Sequence, residues 1–304
     1  MTAPLQDNRR LNLSAGMASV AVALVLILAK FWAFAATGSL SVAASLADSG
    51  LDLMVSAAGL AAIIYAAKPA DEDHAFGHNS AEDLAALGQA LFILASAAVI
   101  AVAAARRLIT SQPEKLESEA EGIAVMGFSI VLTVALVLWQ RRVAARTGNK
   151  VVAADSLHYL GDLIPGIGAI LALVASARFG LANVDSVVAL GAAALMTLGA
   201  ARIGKRAWDA LMDRTADPEL VASIGKIASD WPGVHGFHDL RTRQSGSRVF
   251  VNLHIELDGE QSLDAAHEIG AALRRAILRA HPQADVIIHM DPVGVVPHPE
   301  DPSR

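Results

Sequence analysis

The sequence predicts a membrane protein of six helical spans followed by a small α+β domain on the cytoplasmic side. The first of two observations is the apolar composition: 304 residues of which 54% are hydrophobic and 18% charged, with a mean hydropathy of +0.46. The second is a change of texture near residue 212, after which apolar runs give way to short alternating and helical patterns. A span needs roughly 20 apolar residues, and runs this long can cross lipid only as helices.

Six stretches meet that length: about 13–36, 40–67, 82–106, 120–144, 151–178 and 184–208. Polar punctuation separates them at Ala36-Thr-Gly-Ser39, Ser111-Gln-Pro-Glu-Lys-Leu-Glu117 and Phe179-Gly-Leu-Ala-Asn183. The polar start (Met1 to Asn12) and the length of the first run mark a retained span rather than a cleaved signal peptide. Arg9, Arg10, Lys68, Arg141, Arg142, Arg146, Lys150, Arg202, Lys205 and Arg206 fall on one side. The other side holds only Arg106, Arg107, Lys115 and Arg178. Basic excess marks the cytoplasm, which puts both termini there.

After the last span, Pro218 to Ser229 has helical periodicity. Gly236–Thr242 and Arg248–Leu257 alternate as strands about a turn at Gln244-Ser-Gly246. Leu263 to Ala280 is helical again, and Asp285-Val-Ile-Ile-His289 is a last strand. The division is therefore 1–211 for the six spans, 212–296 for the α+β domain and 297–304 for a disordered tail.

Composition also excludes function classes. A net charge of −6 is wrong for a nucleic-acid partner. The absence of cysteine removes disulfides, thiolate metal sites and thiol catalysis, so any metal must be held by nitrogen and oxygen. No phosphate-cradling glycine motif and no nucleophile elbow occurs, so the chain is not read as an enzyme and any transport must draw on an ion gradient.

Three groups of residues carry chemistry. Asp48 and Asp52 lie four apart in one apolar span, and His158 and Asp162 lie four apart in another. Four-residue spacing puts each pair on one helix face, and ionisable groups within a membrane mark ion paths. Three carboxylates and an imidazole make a four-ligand site for a divalent cation, zinc foremost. In the loop after the second span, Asp71, His74 and His78 have spacing that could fold around one cation, with Glu72 and Asp73 adding negative field. In the α+β domain, His238, His254, His267 and His289, with Asp291, could enclose one or two metals, although strand alternation alone does not place His254. His235, His281 and His298 lack such company and are read as surface residues.

Several long motifs resemble the cation diffusion facilitators over nearly the whole chain. They are the Leu-Ala-Asp-Ser-Gly-Leu-Asp run ending at Asp52, Lys68 to His78 with Ala81-Glu82, Ala154 to Asp162, Trp231-Pro-Gly-Val, His238 to Gly246 and Val286 to Pro292. The resemblance implies that Asp48, Asp52, His158 and Asp162 form the transport site and that Asp71, His74 and His78 form a loop site. It also implies a cytoplasmic binuclear site of His238, His254, His267, His289 and Asp291, with Asp291 bridging. The domain would be ferredoxin-like, and the protein a homodimer in the bacterial inner membrane that exchanges metal for protons.

A histidine in the fifth span resembles members accepting Zn2+, Cd2+ and sometimes Fe2+, because manganese-selective members usually carry aspartate there. The alternatives are an Fe2+ or Mn2+ exporter, or a membrane metal sensor that transports nothing. One position departs from the family. A lysine that pairs with an aspartate after the sixth span is replaced by Ser80, while Asp213 matches the aspartate. The resemblance therefore does not carry that interlock to this chain, and dimer stability is expected to rest more on the soluble domains.

Overall fold

The computed structural model describes residues 3–37, 40–110, 120–163 and 184–294. The links at 38–39 and 111–119, the second half of the expected fifth span, the link to the sixth and the tail with His298 lie outside the described residues. The chain divides into two compact units, Asn8–Trp208 and a second made chiefly of Asp209–Arg304.

The first unit is helical: α1 (Ala3–Thr37), α2 (Leu40–Ala66), α3 (Ser80–Thr110), α4 (Ala120–Thr147), α5 (150–163) and α6 (Val184–Leu211). Within α1 to α4, Asp7–Ala35, Ser49–Ala66, Ser80–Arg106 and Gly127–Thr147 are long and apolar enough to cross a membrane. Six spans were expected and four meet that test among the described residues. With 28 residues, α6 is long enough to cross at ~1.5 Å per residue.

Leu28, Phe31, Val99, Ile109, Val131 and Leu198 are between 59% and 82% exposed. Such side chains would be a liability in water, whereas hydrocarbon requires them. Small residues are prominent in the helix contacts: Ala15, Ala86, Ala90, Ala193, Ala200 and Ala207 are all buried, beside larger side chains such as Ile93, Val151 and Met196. Close approach of backbones replaces the hydrophobic drive that lipid does not supply. Between α5 and α6 the packing is reciprocal: Met196 sits over Gly161 and Leu157 over Gly199. A Cβ at Gly199 would stand 2.7 Å from Leu157 Cδ2, so neither helix could approach as closely with alanine there.

Two residues set the start of α5. Gly148 ends α4 in the left-handed conformation (φ 70°) and donates its N–H to the Ala144 carbonyl. Asn149 then caps α5, its Oδ1 accepting from the Val152 N–H at 2.9 Å. Lys150 joins Asp83 of α3 through a partly buried ion pair of 2.6 Å. This cap and ion pair fix where the α5 face bearing His158 begins.

The second unit contains α7 (Pro218–Ser229), β1 (Gly236–Ser245), β2 (Arg248–Leu257), α8 (Leu263–Ala280) and β3 (Ala284–Pro292). Asp217 caps α7 with Pro218 at its first position, and Ser262 caps α8. β1 and β2 pair antiparallel, β2 and β3 pair parallel, and the sheet order is β1-β2-β3. The sheet and its two helices form the predicted α+β arrangement.

Two strand ends differ from the sequence reading. β1 continues through Gln244 and Ser245, which pair with Val249 and Arg248, so the turn is Gly246-Ser247 rather than Gln244–Gly246. Gly246 has φ 54°, as a two-residue hairpin turn demands. β3 runs on past His289, which places Asp291 in the sheet opposite Glu256. In both places cross-strand pairing outweighs local turn preference. Val249, Val251, Leu253, Ile255 and Leu257 form the buried face of β2 and pack with Ile224 and Ala228 of α7 and Leu273 and Ile277 of α8. The opposite face of the same strand carries Asn252, His254 and Glu256.

Candidate metal centres

The first centre joins α2 and α5. Asp52 and His158 come from different helices, yet His158 Nε2 lies 3.1 Å from Asp52 Oδ1 and 3.8 Å from Asp162 Oδ2. Two ligands of one tetrahedral zinc lie roughly 3.4 Å apart at its usual bond lengths, so one ion can be held after small adjustments. Imidazole nitrogen and carboxylate oxygen are also the donors zinc prefers when sulfur is absent. Asp48 lies on α2 one turn before Asp52, and its side chain falls outside the described residues.

Side-chain exposure rises from 6% at His158 to 16% at Asp52 and 46% at Asp162, so the centre opens on the Asp162 side. Phe92 stands edge-on to the His158 ring. Lys30 of α1 also donates to Ser49, within the turn between the two aspartates. A lysine in an apolar span is the kind of residue that marks an ion path, and the sequence reading passed over it.

The second centre is the loop between α2 and α3. Asp71 places Oδ1 3.2 Å from His74 Nδ1 and Oδ2 3.3 Å from His78 Nε2. The loop is drawn tight by the His74 backbone N–H, which donates to Asp71 Oδ1 at 2.7 Å. That backbone donor is the main reason the Asp71 carboxyl titrates below its ordinary range, and the two imidazoles add to the effect. His78 is buried, with Tyr65 edge-on to its ring, while Asp71 and His74 face solvent. The three groups offer one nitrogen or oxygen each within 4.8 Å of one another.

The third centre is a row across the sheet. Strand register sets His238 of β1 opposite His254 of β2, and His254 opposite His289 of β3. Asp291 Oδ2 lies 3.0 Å from His254 Nδ1 and 3.4 Å from His238 Nε2, while its Oδ1 lies 3.1 Å from His289 Nε2. One carboxylate thus turns its two oxygens to different histidines, the disposition a ligand shared by two ions needs. Glu256 Oε1 lies 3.1 Å from His238 Nδ1, orienting the ring so that Nε2 faces the centre. A bulge follows His238, where Asp239 takes a left-handed backbone (φ 48°) and brings Oδ2 to 3.9 Å from His254 Nε2.

His267 is not brought to this row; it is exposed on α8. His235 is exposed, whereas His281 is half-buried, ends α8 and lies 2.9 Å from Ser223 Oγ of α7. His281 is therefore a packing residue, not the surface residue expected. Asp213 is taken up within its own unit by Arg243, Oδ1 to Nη1 at 3.0 Å. Glu256 and Asp239 went unnoticed in the sequence because a lone acidic residue in a strand looks like ordinary surface. Only pairing brings them to the histidines.

Comparison with known proteins gives a family for both parts of the chain. Residues 16–212 match the family described as the cation efflux transmembrane domain, and residues 216–293 match the cation efflux protein cytoplasmic domain. The Cation-efflux pump FieF of Cronobacter sakazakii is 41% identical over 291 residues, 96% of each chain. The protein of that name from Klebsiella pneumoniae is 40% identical over 292 residues, again 96% of each. The C-terminal unit is also 32% identical to the metal-bound C-terminal domain of the CzcD transporter from Thermotoga maritima, with a TM-score of 0.25, covering 26% of this chain and 93% of that one. With matches spanning both units and nearly the full length of its relatives, this chain belongs to the cation efflux family, the cation diffusion facilitators.

Proposed function

We propose that this chain exports divalent metal from the bacterial cytoplasm across the inner membrane in exchange for protons. Zinc is the principal cargo, and cadmium and ferrous iron are accepted by the same donors. The observation that carries this reading is the meeting of Asp52 on α2 with His158 and Asp162 on α5. It is supported by the 40–41% identity to efflux pumps over 96% of the chain.

Neutral imidazole and ionised carboxylates bind metal, and protons compete for the same lone pairs. With both termini cytoplasmic, metal enters from inside when the ligands are deprotonated. The ligands stand on two helices, so relative movement of α2 and α5 alters ligand spacing and access together. Protons arriving from outside then displace the ion from Asp48, Asp52, His158 and Asp162.

The loop of Asp71, His74 and His78 binds a further ion in this reading. The cytoplasmic row of His238, His254 and His289 holds two ions across Asp291 in a homodimer. His267, remote from the row in one chain, completes that site from a second copy.

The test is zinc flux in proteoliposomes under an imposed pH gradient, in wild type and Asp162→Ala. Flux that follows the gradient and vanishes in the variant, while the variant still binds zinc, supports the proposal. Flux indifferent to the gradient overturns proton coupling. Zinc resistance unchanged by Asp162→Ala would favour the non-transporting sensor.

A further inference from the structure

Beyond the four transport ligands, the helical unit buries another carboxylate. Asp155 lies on α5 three residues before His158, the spacing that puts both on one helix face. It is 5% exposed. Among the described residues no lysine or arginine pairs with it; every hydrogen-bond partner is a neutral group. Ser19 Oγ of α1 donates to Asp155 Oδ2 at 2.6 Å, and so does Gln140 Nε2 of α4. Ser56 Oγ of α2 lies 3.4 Å from Asp155 Oδ1. A buried carboxylate with no cation beside it is costly when charged.

The surrounding hydroxyls explain how that cost can be met in two charge states. The Oγ atoms of Ser19 and Ser56 are 2.8 Å apart, and Ser56 Oγ is 3.0 Å from the Tyr159 hydroxyl. Each hydroxyl has one hydrogen and two lone pairs, so Ser19 cannot donate to Ser56 and Asp155 at once. With Asp155 ionised, the chain runs Tyr159 to Ser56 to Ser19 to carboxylate, every hydrogen directed at the charge. With Asp155 protonated, its own hydrogen is donated into the chain and the hydroxyls rotate to pass it on. No heavy atom needs to move.

We propose that Asp155 is a proton-binding site separate from the metal ligands, emptied when metal loads at Asp52, His158 and Asp162 and refilled when it leaves. This rests on the proton-coupled reading above and adds one proton to its count. Among the groups facing Asp155, His158 also exchanges protons and bears electrostatically on it, but His158 is a candidate metal ligand and Asp155 is not. Among the described residues, its hydrogen-bond partners from α1 and α4 are Ser19 and Gln140, while Arg141 and Arg142 are exposed. From α2 it meets Ser56, with Asp52 one turn beyond. Its own helix offers His158 and Tyr159, and Lys150 is engaged by Asp83.

A dication one turn away favours the ionised form, and its departure favours the acid. The exchange is balanced: the O–H bond of Asp155 breaks as an O–H bond forms on water, and reverses on refilling. A small cavity lined by Ser56, Gly59, Gln140 and Asp155 has room for about one water to serve this. Gln140 Oε1 is buried with no protein partner, an acceptor for such a water.

The experiment is calorimetry of zinc binding to the full chain in buffers of different ionisation enthalpy. Wild type and Asp155→Asn are compared, with the His158 ring titrated by NMR in both, because Asp155 bears electrostatically on His158 and its share of the released protons must be subtracted. The variant is expected to bind zinc with about one fewer proton released. An unchanged proton count overturns the proposal. Ser19→Ala serves if Asp155→Asn fails to fold. It removes a donor to the ionised form, so the midpoint of pH-dependent zinc loading moves to higher pH. A Ser19→Ala protein that loses flux with an unmoved midpoint marks a purely structural role and overturns the proposal too. Wild type that releases no protons and ignores a pH gradient would instead sink the coupled-export reading itself.

Discussion

The intramembrane centre and the cytoplasmic row use the same two ligand types and build them in opposite ways. In the membrane only two elements need meet: α2 brings Asp52 to His158 and Asp162, which lie one turn apart on α5. In the sheet, each strand supplies one histidine, and three strands must be in register before any metal could bind. The first arrangement would keep His158 and Asp162 together if α2 and α5 moved relative to one another. The second is locked into a hydrogen-bonded ladder and the packed core beneath it. Moving parts suit cargo, and a rigid ladder suits an ion that stays.

That contrast is broken most severely at His158. His158→Ala should abolish zinc export in proteoliposomes while the cytoplasmic sites of the same protein still take up zinc by calorimetry. Export surviving the change would mean that the helical pair is not the cargo site. Next comes Asp291→Ala, which removes the carboxylate facing all three histidines. Zinc affinity at the row should fall by at least ~10–100-fold, with export reduced rather than lost. Complete loss of export at saturating zinc would show that the two centres are not separable.

Glu256→Gln leaves every candidate ligand in place and loses only the charge that orients His238. An affinity loss of about 10-fold at the row is expected. No change would mean that the sheet alone fixes the ring.

The smallest effect concerns the loop. Because the His74 backbone N–H is the main cause of the lowered Asp71 titration, His74→Ala should leave it still below the ordinary carboxylate value. Carbon-detected NMR of the Asp71 carboxyl reads this directly. A return to the ordinary value would assign the effect to the imidazole instead. The sign is that of a depressed acid: the stabilisation is full above the unfolded value and is lost as pH falls through the lower, folded one. The loop should therefore keep its Asp71 hydrogen bond in acid that already protonates ordinary carboxylates.

How much of this could be read from the sequence follows the same division. Asp52, His158 and Asp162 were legible because polar groups stand out in apolar runs and helical periodicity is local. Asp71, His74 and His78 were legible because a single loop carries them. His238, His254 and His289 could be named but not arranged, since their meeting depends on the bulge at Asp239 and on the parallel β2–β3 pairing. The same ignorance of register ended β3 too early and left Asp291 outside the strand. The surroundings of Asp155 were invisible for another reason. Ser19 and Gln140 are uncharged and stand in apolar runs far apart in sequence, so nothing local marks them.

The Gly246-Ser247 turn acts as a ruler. It carries no candidate ligand, yet together with the bulge after His238 its length sets which β1 residue faces His254. One residue inserted there would slip the hairpin by a position and turn His238 to the buried face. Genetic screens that score only ligand positions would miss it. In this domain the sensitivity of metal binding to insertions should peak at a loop that holds no metal, with the chain still folded and every ligand still encoded.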